Sequence, residues 1–166
     1  MIKLEKIGFG GGCHWCTEAV FQYLNGVDKV EQGYISTSSK PELFYEAVIV
    51  HFDPKIISQK TLIRIHLSTH KSSSDHSMRY KYLSAVYSFE QDQHAEAESI
   101  LSNLSEQDKK FITRVYKFGD FKASREEIRN YYATDPKRPF CRSYIQPKLE
   151  FLDKKFSKYL KNNPKG

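Results

Sequence analysis

The segment Gly8–Phe21 reads GFGGGCHWCTEAVF and places a glycine triplet directly before two cysteines in a C-x-x-C spacing. Upstream of it, LEKIGFGG is typical of a short strand that runs into a glycine turn. Downstream, apolar residues recur at helical spacing as far as Leu24, and Asn25 and Gly26 then end the helical pattern. The segment therefore predicts a strand, a tight turn and a helix, with a thiol at the turn.

Outward from this segment, strand and helix patterns follow in the order β-α-β-β-α-β and then α-β. The further strand candidates are VEQGYIS, YEAVIVHF, YLSAVYSF and KFITRVYKF, and the longer helix candidates span residues 58–70, 91–104 and 147–160. This order predicts an α+β fold, a mixed β-sheet with helices on one face. We expect a ferredoxin-like plait as its core, followed by a C-terminal extension of helix and loop.

Length and charge limit the classes of protein. The 166 residues fit one domain, 1–166, whose segment 133–166 carries the third cysteine. The net charge is +6, but the basic residues are widely spread, so we expect no nucleic-acid partner. No apolar run approaches the ~18 residues that span a bilayer, and the start lacks a signal-peptide pattern. We expect a cytoplasmic monomer that does not bind membranes.

The three cysteines, Cys13, Cys16 and Cys141, are too few for a disulfide scaffold and indicate reactive thiols or metal ligands. The glycines would let the first amides of the helix point at Cys13. Those donors and the helix dipole would lower the pKa of the Cys13 thiol and favour the nucleophilic thiolate. The alternative is a tight turn that carries two small buried thiols. We interpret Trp15, the only tryptophan, as the wall of an apolar pocket beside the nucleophile.

Several motifs then resemble one family in order along the chain. FGGGCHWCTEAVFQYLNGV…GY resembles the FGGGCFWxxEAxF…GV…GY signature of A-type peptide methionine sulfoxide reductases. EAVIVHFDPKIIS is similar to the strand of that family that bears a glutamate, and YLSAVY to its YRSAVY. YYATDPKRPFC…IQPKLEFL resembles its C-terminal cysteine segment. The resemblance implies reduction of the S epimer of methionine sulfoxide, free or in proteins, without a cofactor or a metal.

The resemblance also implies roles for individual residues. Cys13 matches the nucleophile and Glu46 the acid that protonates the sulfoxide oxygen. Tyr34 and Tyr82 match the tyrosines that hydrogen-bond this oxygen, and Trp15 matches part of the slot for the methyl group. A carboxyl that is partly buried at the head of a hydrophobic strand would have a raised pKa and could donate a proton near neutral pH.

Attack by Cys13 would leave a sulfenic acid, which condenses readily with a second thiol. Cys141 lies in KRPFCRSY, where the family often carries its recycling cysteine, and we prefer it to Cys16. Cys16 is nearer in sequence, but one helical turn along from Cys13 a direct bond would require distortion. By resemblance, thioredoxin would reduce the resulting disulfide.

The sequence departs from the family in three places. His14 replaces the phenylalanine that shares the methyl slot with the tryptophan, so we place His14 among the substrate-binding residues as a flat but titratable ring. The loop before Glu46 is shorter than in the family. Asp75 is the carboxylate that could stand for the family aspartate; Tyr80 has the family spacing from it, but Tyr82 has the matching YLSAVY context.

Three other interpretations compete with a reductase of this family. A thioredoxin-like dithiol oxidoreductase would use Cys13 and Cys16. A zinc module would use the same pair with two histidines, although their spacing fits no zinc-finger pattern. A family member of reduced activity would bind oxidised methionine or a partner without turnover.

Overall fold

The computed structural model describes residues 3–69, 83–105 and 112–161. Its strands are β1 (Glu5–Gly10), β2 (Val27–Thr37), β3 (Lys40–Phe52), β4 (Ala85–Ser88) and β5 (Arg114–Ala123). Its α-helices are α1 (His14–Gln22), α2 (Gln59–Thr69), α3 (Gln91–Ser105), α4 (Tyr131–Thr134) and α5 (Gln146–Lys155). Shorter turns are a π-helical turn, Cys141–Ile145, and two 3₁₀ turns, Glu126–Ile128 and Ser157–Tyr159.

The five strands form a closed barrel in the order β1-β3-β2-β5-β4. β3 pairs antiparallel with β1 and β2, and β4 pairs antiparallel with β1. β5 is antiparallel to β2 and parallel to β4. The predicted α+β fold with a mixed sheet is confirmed. The ferredoxin-like plait needs correction, because β5 joins the two strands that would be the edges of an open plait.

The two faces of the sheet carry separate apolar clusters. Alternate residues of β1, Ile7 and Phe9, pack with α1 and α2 in the larger cluster, which also contains Val48, Val50 and Phe52 of β3. The intervening positions of the strands face the other way and form a smaller cluster of Ile35, Ala47, Ile49, Ala85 and Tyr87. Because the sheet is closed and the helices belong to the larger cluster, the smaller cluster fills the barrel.

The glycines of the opening segment serve two different purposes. Gly8 lies in β1, where an added Cβ would stand 2.8 Å from the Cβ of Tyr87, so its small size admits Tyr87 to the barrel interior. Gly11 has φ 135°, a backbone conformation that favours glycine, and it turns the chain from β1 towards α1. The strand, turn and helix that the segment predicts are therefore present, and Gly8 and Gly10 lie inside the strand.

None of the helices in the described ranges is both long enough and apolar enough to cross a membrane.

Candidate active site

Cys13 is the N-cap residue of α1. Its φ of −59° and ψ of 127° are not helical, and its carbonyl accepts the amide hydrogens of Cys16 and Thr17 at 3.1 and 3.2 Å. The thiol is half-buried. The turn at Gly11 thus delivers Cys13 to the amino end of the helix, where backbone N–H groups have no partner inside the helix.

The pKa of the Cys13 thiol is lowered, as the sequence predicts. The largest cause is a hydrogen bond from the Cys16 thiol, and the backbone N–H groups of Trp15 and Cys16 add to it. Burial and the nearby Glu46 carboxylate act in the opposite direction. The pKa of Cys16 is raised, first because its thiol donates to Cys13 and also because it is buried. One thiol of the C-x-x-C therefore stabilises the thiolate of the other.

Glu46 and Tyr34 face each other across the β2–β3 pair, and both lie beside the start of α1. They are register partners in the antiparallel ladder, so their side chains project from the same side of the sheet. Glu46 is buried, and its Oε1 accepts the backbone N–H of His14 at 3.3 Å. A strand carboxyl thereby satisfies an amide at the first position of the helix.

His14 is buried between these two strands. Its Nδ1 lies 2.9 Å from the carbonyl oxygen of Gly33 in β2, and its Nε2 lies 3.4 Å from Oε1 of Glu46 in β3. The ring of Tyr34 meets the imidazole edge-on at a centroid distance of 5.2 Å. A carbonyl can only accept, so Nδ1 carries a hydrogen and Nε2 is directed at the carboxyl.

Trp15 is half-buried and packs against the C-terminal part of the chain. Its ring stacks on Tyr131 at 4.2 Å and meets Phe140 edge-on at 5.1 Å. The guanidinium of Arg138 lies 4.2 Å from the centre of the Tyr131 ring. The segment that contains Cys141 therefore builds an aromatic wall around the tryptophan next to Cys13.

Cys141 is fully buried at the start of the π-helical turn, and its Sγ donates to the carbonyl of Asp135 at 3.6 Å. Burial raises the pKa of this thiol. Cys141 also contributes to the raised pKa of Cys16. All three cysteines are free thiols, and Cys16 neighbours both Cys13 and Cys141.

The contact between Cys16 and Cys13 depends on the backbone conformation of Cys13. A helical spacing would separate the two thiols by a turn of helix, but Cys13 precedes the helix with an extended ψ. Its sulfur therefore comes within hydrogen-bonding reach of the Cys16 thiol. The preference for Cys141 over Cys16 as the resolving thiol stays a prediction.

Two of the predicted substrate-binding residues, Asp75 and Tyr82, lie outside the described residues, as does the competing Tyr80. The structure brings five other candidates together around the start of α1, on the face of the sheet that the helices cover: Cys13, His14, Trp15, Tyr34 and Glu46.

Sequence reasoning assigned no role to Glu18. This buried carboxylate accepts the amide of Gln32 at 3.0 Å and the backbone N–H groups of Asn130 and Tyr131 at 2.9 and 3.1 Å. Burial raises its pKa in spite of these donors. Glu18 thus fastens the start of α4 to α1 and sets Tyr131 against Trp15. An acidic residue in the apolar run before Ala19 and Val20 was the available signal.

A cavity of about 40 Å³ adjoins the nucleophile and is lined by Cys13, Cys16, Thr17, His66 and Lys148 among others. A larger one of about 580 Å³ lies between Lys3 and Gln93 and contains none of the candidate site residues. We assign the site by its chemistry rather than by cavity size. Within the described ranges, no group of three or more histidine, cysteine or acidic side chains could hold a metal ion.

Comparison with known proteins gives consistent matches over most of the chain. The model of the family described as peptide methionine sulfoxide reductase matches residues 5–160. The peptide methionine sulfoxide reductase MsrA of Deinococcus radiodurans is 33% identical over 165 residues, which cover 89% of this chain and 80% of the relative.

Solved structures agree in fold. Mxr1 from Saccharomyces cerevisiae in its reduced form has a TM-score of 0.70 at 20% identity, with 84% of this chain and 90% of that chain covered. Mxr1 in complex with Trx2 has a TM-score of 0.61 at 20% identity, with 75% and 84% covered. Since the family model extends across all of the described strands and the candidate site, the chain belongs to the peptide methionine sulfoxide reductase family.

Proposed function

We propose that this protein reduces the S epimer of methionine sulfoxide, free or within proteins, to methionine. The observation that carries the proposal is the pairing of two groups at one site: a cysteine of lowered pKa at a helix amino end, and a buried carboxyl on the adjacent strand. Reduction of a sulfoxide needs both, because its sulfur accepts a nucleophile and its oxygen leaves sulfur only after protonation.

In the first step, the Cys13 thiolate attacks the sulfoxide sulfur and Glu46 delivers a proton to the oxygen. Attack forms a transient bond between the Cys13 sulfur and the substrate sulfur. The protonated oxygen then passes to the Cys13 sulfur as a hydroxyl: the sulfur–oxygen bond of the substrate and the sulfur–sulfur bond break, the electron pair of the latter stays on the methionine sulfur, and Cys13 is left as a sulfenic acid. Methionine is reduced by two electrons and the cysteine is oxidised by two. The Cys16 thiol and the Trp15 amide support this step by holding Cys13 as a thiolate before attack.

Substrate binding follows from the groups around Cys13. The half-buried ring of Trp15 offers an apolar surface for the methyl group, with the buried ring of His14 beside it at a centroid distance of 6.5 Å. The hydroxyl of Tyr34 would donate to the sulfoxide oxygen near Glu46. Asp75 and Tyr82 complete this set by their resemblance to the family's residues.

In the second step, the Cys141 thiol attacks the sulfenic acid, which releases water and forms a Cys13–Cys141 disulfide. Thioredoxin then reduces this disulfide. The position of Cys141 in the aromatic wall around Trp15 supports its role, and Mxr1, which shares the fold, is solved in complex with Trx2. We further propose that one domain carries the activity, as a monomer in the cytoplasm.

A single-turnover assay with separate S and R epimers of methionine sulfoxide tests the reaction. Wild type should form one equivalent of methionine from the S epimer alone, and Cys13→Ser should form none. Cys141→Ser is the matched control, because it removes a thiol that the first step does not use. Absence of methionine from the S epimer with wild type contradicts the function, and equal activity of Cys13→Ser contradicts the nucleophile.

The hydrogen bond between the two thiols of the C-x-x-C favours a second candidate, dithiol–disulfide exchange by Cys13 and Cys16. In that case the protein would reduce a disulfide such as that of insulin, and Cys16→Ser would abolish this activity. The reductase predicts no insulin reduction at comparable concentrations.

A further inference from the structure

His14 and Glu46 meet through two contacts that involve the same oxygen. Oε1 of Glu46 accepts the backbone N–H of His14 at 3.3 Å and lies 3.4 Å from Nε2 of the His14 ring. Both side chains are nearly excluded from solvent, with 3% and 10% of their surfaces exposed. The carboxyl and the imidazole are therefore held together by the backbone of α1 as well as by their side chains.

The Gly33 carbonyl determines where hydrogen can be on the imidazole. It lies 2.9 Å from Nδ1, and because a carbonyl only accepts, Nδ1 is the protonated nitrogen of a neutral ring. Nε2 then presents a lone pair to Oε1 of Glu46. An unprotonated nitrogen and an ionised carboxylate repel each other at this distance, whereas one proton on either partner makes the contact attractive.

The surrounding charges favour retention of that proton. Among the described residues, the groups that face the pair include the Cys13 thiol at the start of α1, the Tyr34 phenol on β2 and the carbonyl of Gly33 on the same strand. Cys13 is held towards its thiolate form, and a charged Glu46 opposes this. A proton shared by His14 and Glu46 leaves Cys13, His14 and Glu46 with one negative charge among them, whereas its loss would leave two.

We propose that His14 and Glu46 hold one proton between them, and that His14 is a positioning residue that keeps this proton available for the sulfoxide oxygen. The proposal rests on the proposed function, in which Glu46 is the acid. During reduction the proton leaves the pair for the substrate oxygen, and when it is on Nε2 it passes through Glu46. The pair regains its proton from solvent before the next turnover.

The proposal has a consequence for the pH profile. An imidazole in water keeps its proton up to a pH about two units higher than a carboxyl does. A pair that includes His14 therefore stays protonated at a pH where an isolated carboxyl would have ionised. The rate of methionine formation should hold up towards alkaline pH in wild type and should fall earlier when residue 14 cannot carry a proton.

The test is a pH series of single-turnover rates for wild type, His14→Phe and His14→Asn. Phenylalanine keeps a flat ring, and asparagine keeps a donor for the Gly33 carbonyl, but neither carries a proton. We expect the alkaline limb to move to lower pH by about one to two units in both variants. His94→Phe is the matched control: His94 also lies close to a glutamate, Glu98 at 3.0 Å, but on α3.

An unchanged alkaline limb in either variant overturns the proposal, because neither phenylalanine nor asparagine can carry the proton. If His14 served only in packing, the two variants would differ from each other, since phenylalanine keeps a flat ring and asparagine does not. Nitrogen-15 NMR of the imidazoles in the resting protein gives a readout that does not depend on turnover. It should show hydrogen on Nδ1 of His14 throughout, and a titration of Nε2 that moves to lower pH in Glu46→Gln. A His14 titration that ignores Glu46→Gln also overturns it. If wild type lacks reductase activity while NMR shows the coupled titration, the proposed function fails and the shared proton stands.

Discussion

The thiol of Cys16 donates a hydrogen bond to the sulfur of Cys13. This contact is possible because Cys13 stands before the first turn of α1 with an extended ψ. It lowers the pKa of one cysteine and raises that of the other. The C-x-x-C spacing thus makes two unlike thiols, of which Cys13 is the reactive one at neutral pH.

Replacement of Cys16 should make Cys13 less reactive at neutral pH. Cys16→Ala removes the principal cause of the lowered pKa, so the pH midpoint of alkylation at Cys13 should rise. Cys16→Ser keeps a donor and should raise it less. Iodoacetamide labelling at a series of pH values, read at the Cys13 peptide by mass spectrometry in a Cys141→Ala background, measures this midpoint. The same midpoint with and without Cys16→Ala would rule out the hydrogen bond as the main cause.

Cys141 and Cys16 should differ in repeated turnover. With thioredoxin as reductant, Cys141→Ser should stop after about one methionine per enzyme, because the sulfenic acid on Cys13 lacks its resolving thiol. Cys16→Ser should continue through many turnovers at a reduced rate. Steady-state methionine formation, together with peptide mapping of the disulfide in oxidised wild type, checks this. Loss of turnover in Cys16→Ser alone would assign the resolving thiol to Cys16.

Loss of the Glu18 carboxylate should destabilise the fold at neutral pH. In Glu18→Gln, one amide oxygen replaces two acceptor oxygens, so a backbone N–H of Asn130 or Tyr131 faces an NH₂ group. We expect a loss of about 1–3 kcal/mol in the free energy of unfolding, measured with urea. Glu126→Gln, at an exposed position of the adjacent turn, is the control and should change little. Equal stability of the two variants would contradict the structural role of Glu18.

The same carboxyl should contribute to the pH dependence of stability. Its pKa is raised in the folded state above the ordinary value of 4.5, so the folded protein binds more protons than the unfolded chain between the two values. The pH-dependent part of the Glu18 contribution is therefore complete below pH 4.5 and is lost as the pH rises through the raised value. The hydrogen bonds that its oxygens accept from Asn130 and Tyr131 are a separate contribution, and they account for the stabilisation expected at neutral pH. The unfolding free energy of wild type minus that of Glu18→Gln should fall as the pH rises through this window. A difference that grows with pH would contradict the prediction.

The stack of Trp15 on Tyr131 should matter for substrate binding. Tyr131→Ala removes the ring that holds Trp15 in place, and KM for methionine sulfoxide should rise about two- to tenfold, the range that one aromatic pair supplies. Tyr144→Ala is the control, since Tyr144 contacts Phe140 but is 61% exposed and lies outside the stack on Trp15. Equal KM values for the two variants would show that the aromatic wall does not position Trp15.

The sequence predicts the individual strands and helices better than it predicts the closure of the strands into a barrel. Alternation in β3 and helical spacing in α3 depend on neighbouring residues, and both elements appear where these patterns lie. The barrel depends on β5, which pairs antiparallel at Tyr34 and parallel at Val86. No periodicity records which distant strands a segment will join, so an open plait was the simplest expectation from element order.

The candidate site shows the same difference between features that depend on neighbouring residues and features that depend on distant ones. Cys13, Glu46 and Tyr34 could be named because their motifs are local, and the structure brings them together; Asp75 and Tyr82 stay predictions. An acidic residue in an apolar run marks Glu18 as unusual, but its backbone partners Asn130 and Tyr131 could not be predicted because they lie 112 and 113 residues away. The hydrogen bond from Cys16 depends on one dihedral angle of Cys13.

The closed barrel also limits how another protein can approach. An open plait would offer the free edges of β2 and β4 to a visiting extended peptide, which could add itself as a further strand. In this chain β5 covers the edge of β2 from Gly33 to Thr37 and the edge of β4 from Ala85 to Ser88. We therefore expect a protein that carries an oxidised methionine to be bound through side chains around Cys13, and not as a strand added to the sheet at these positions.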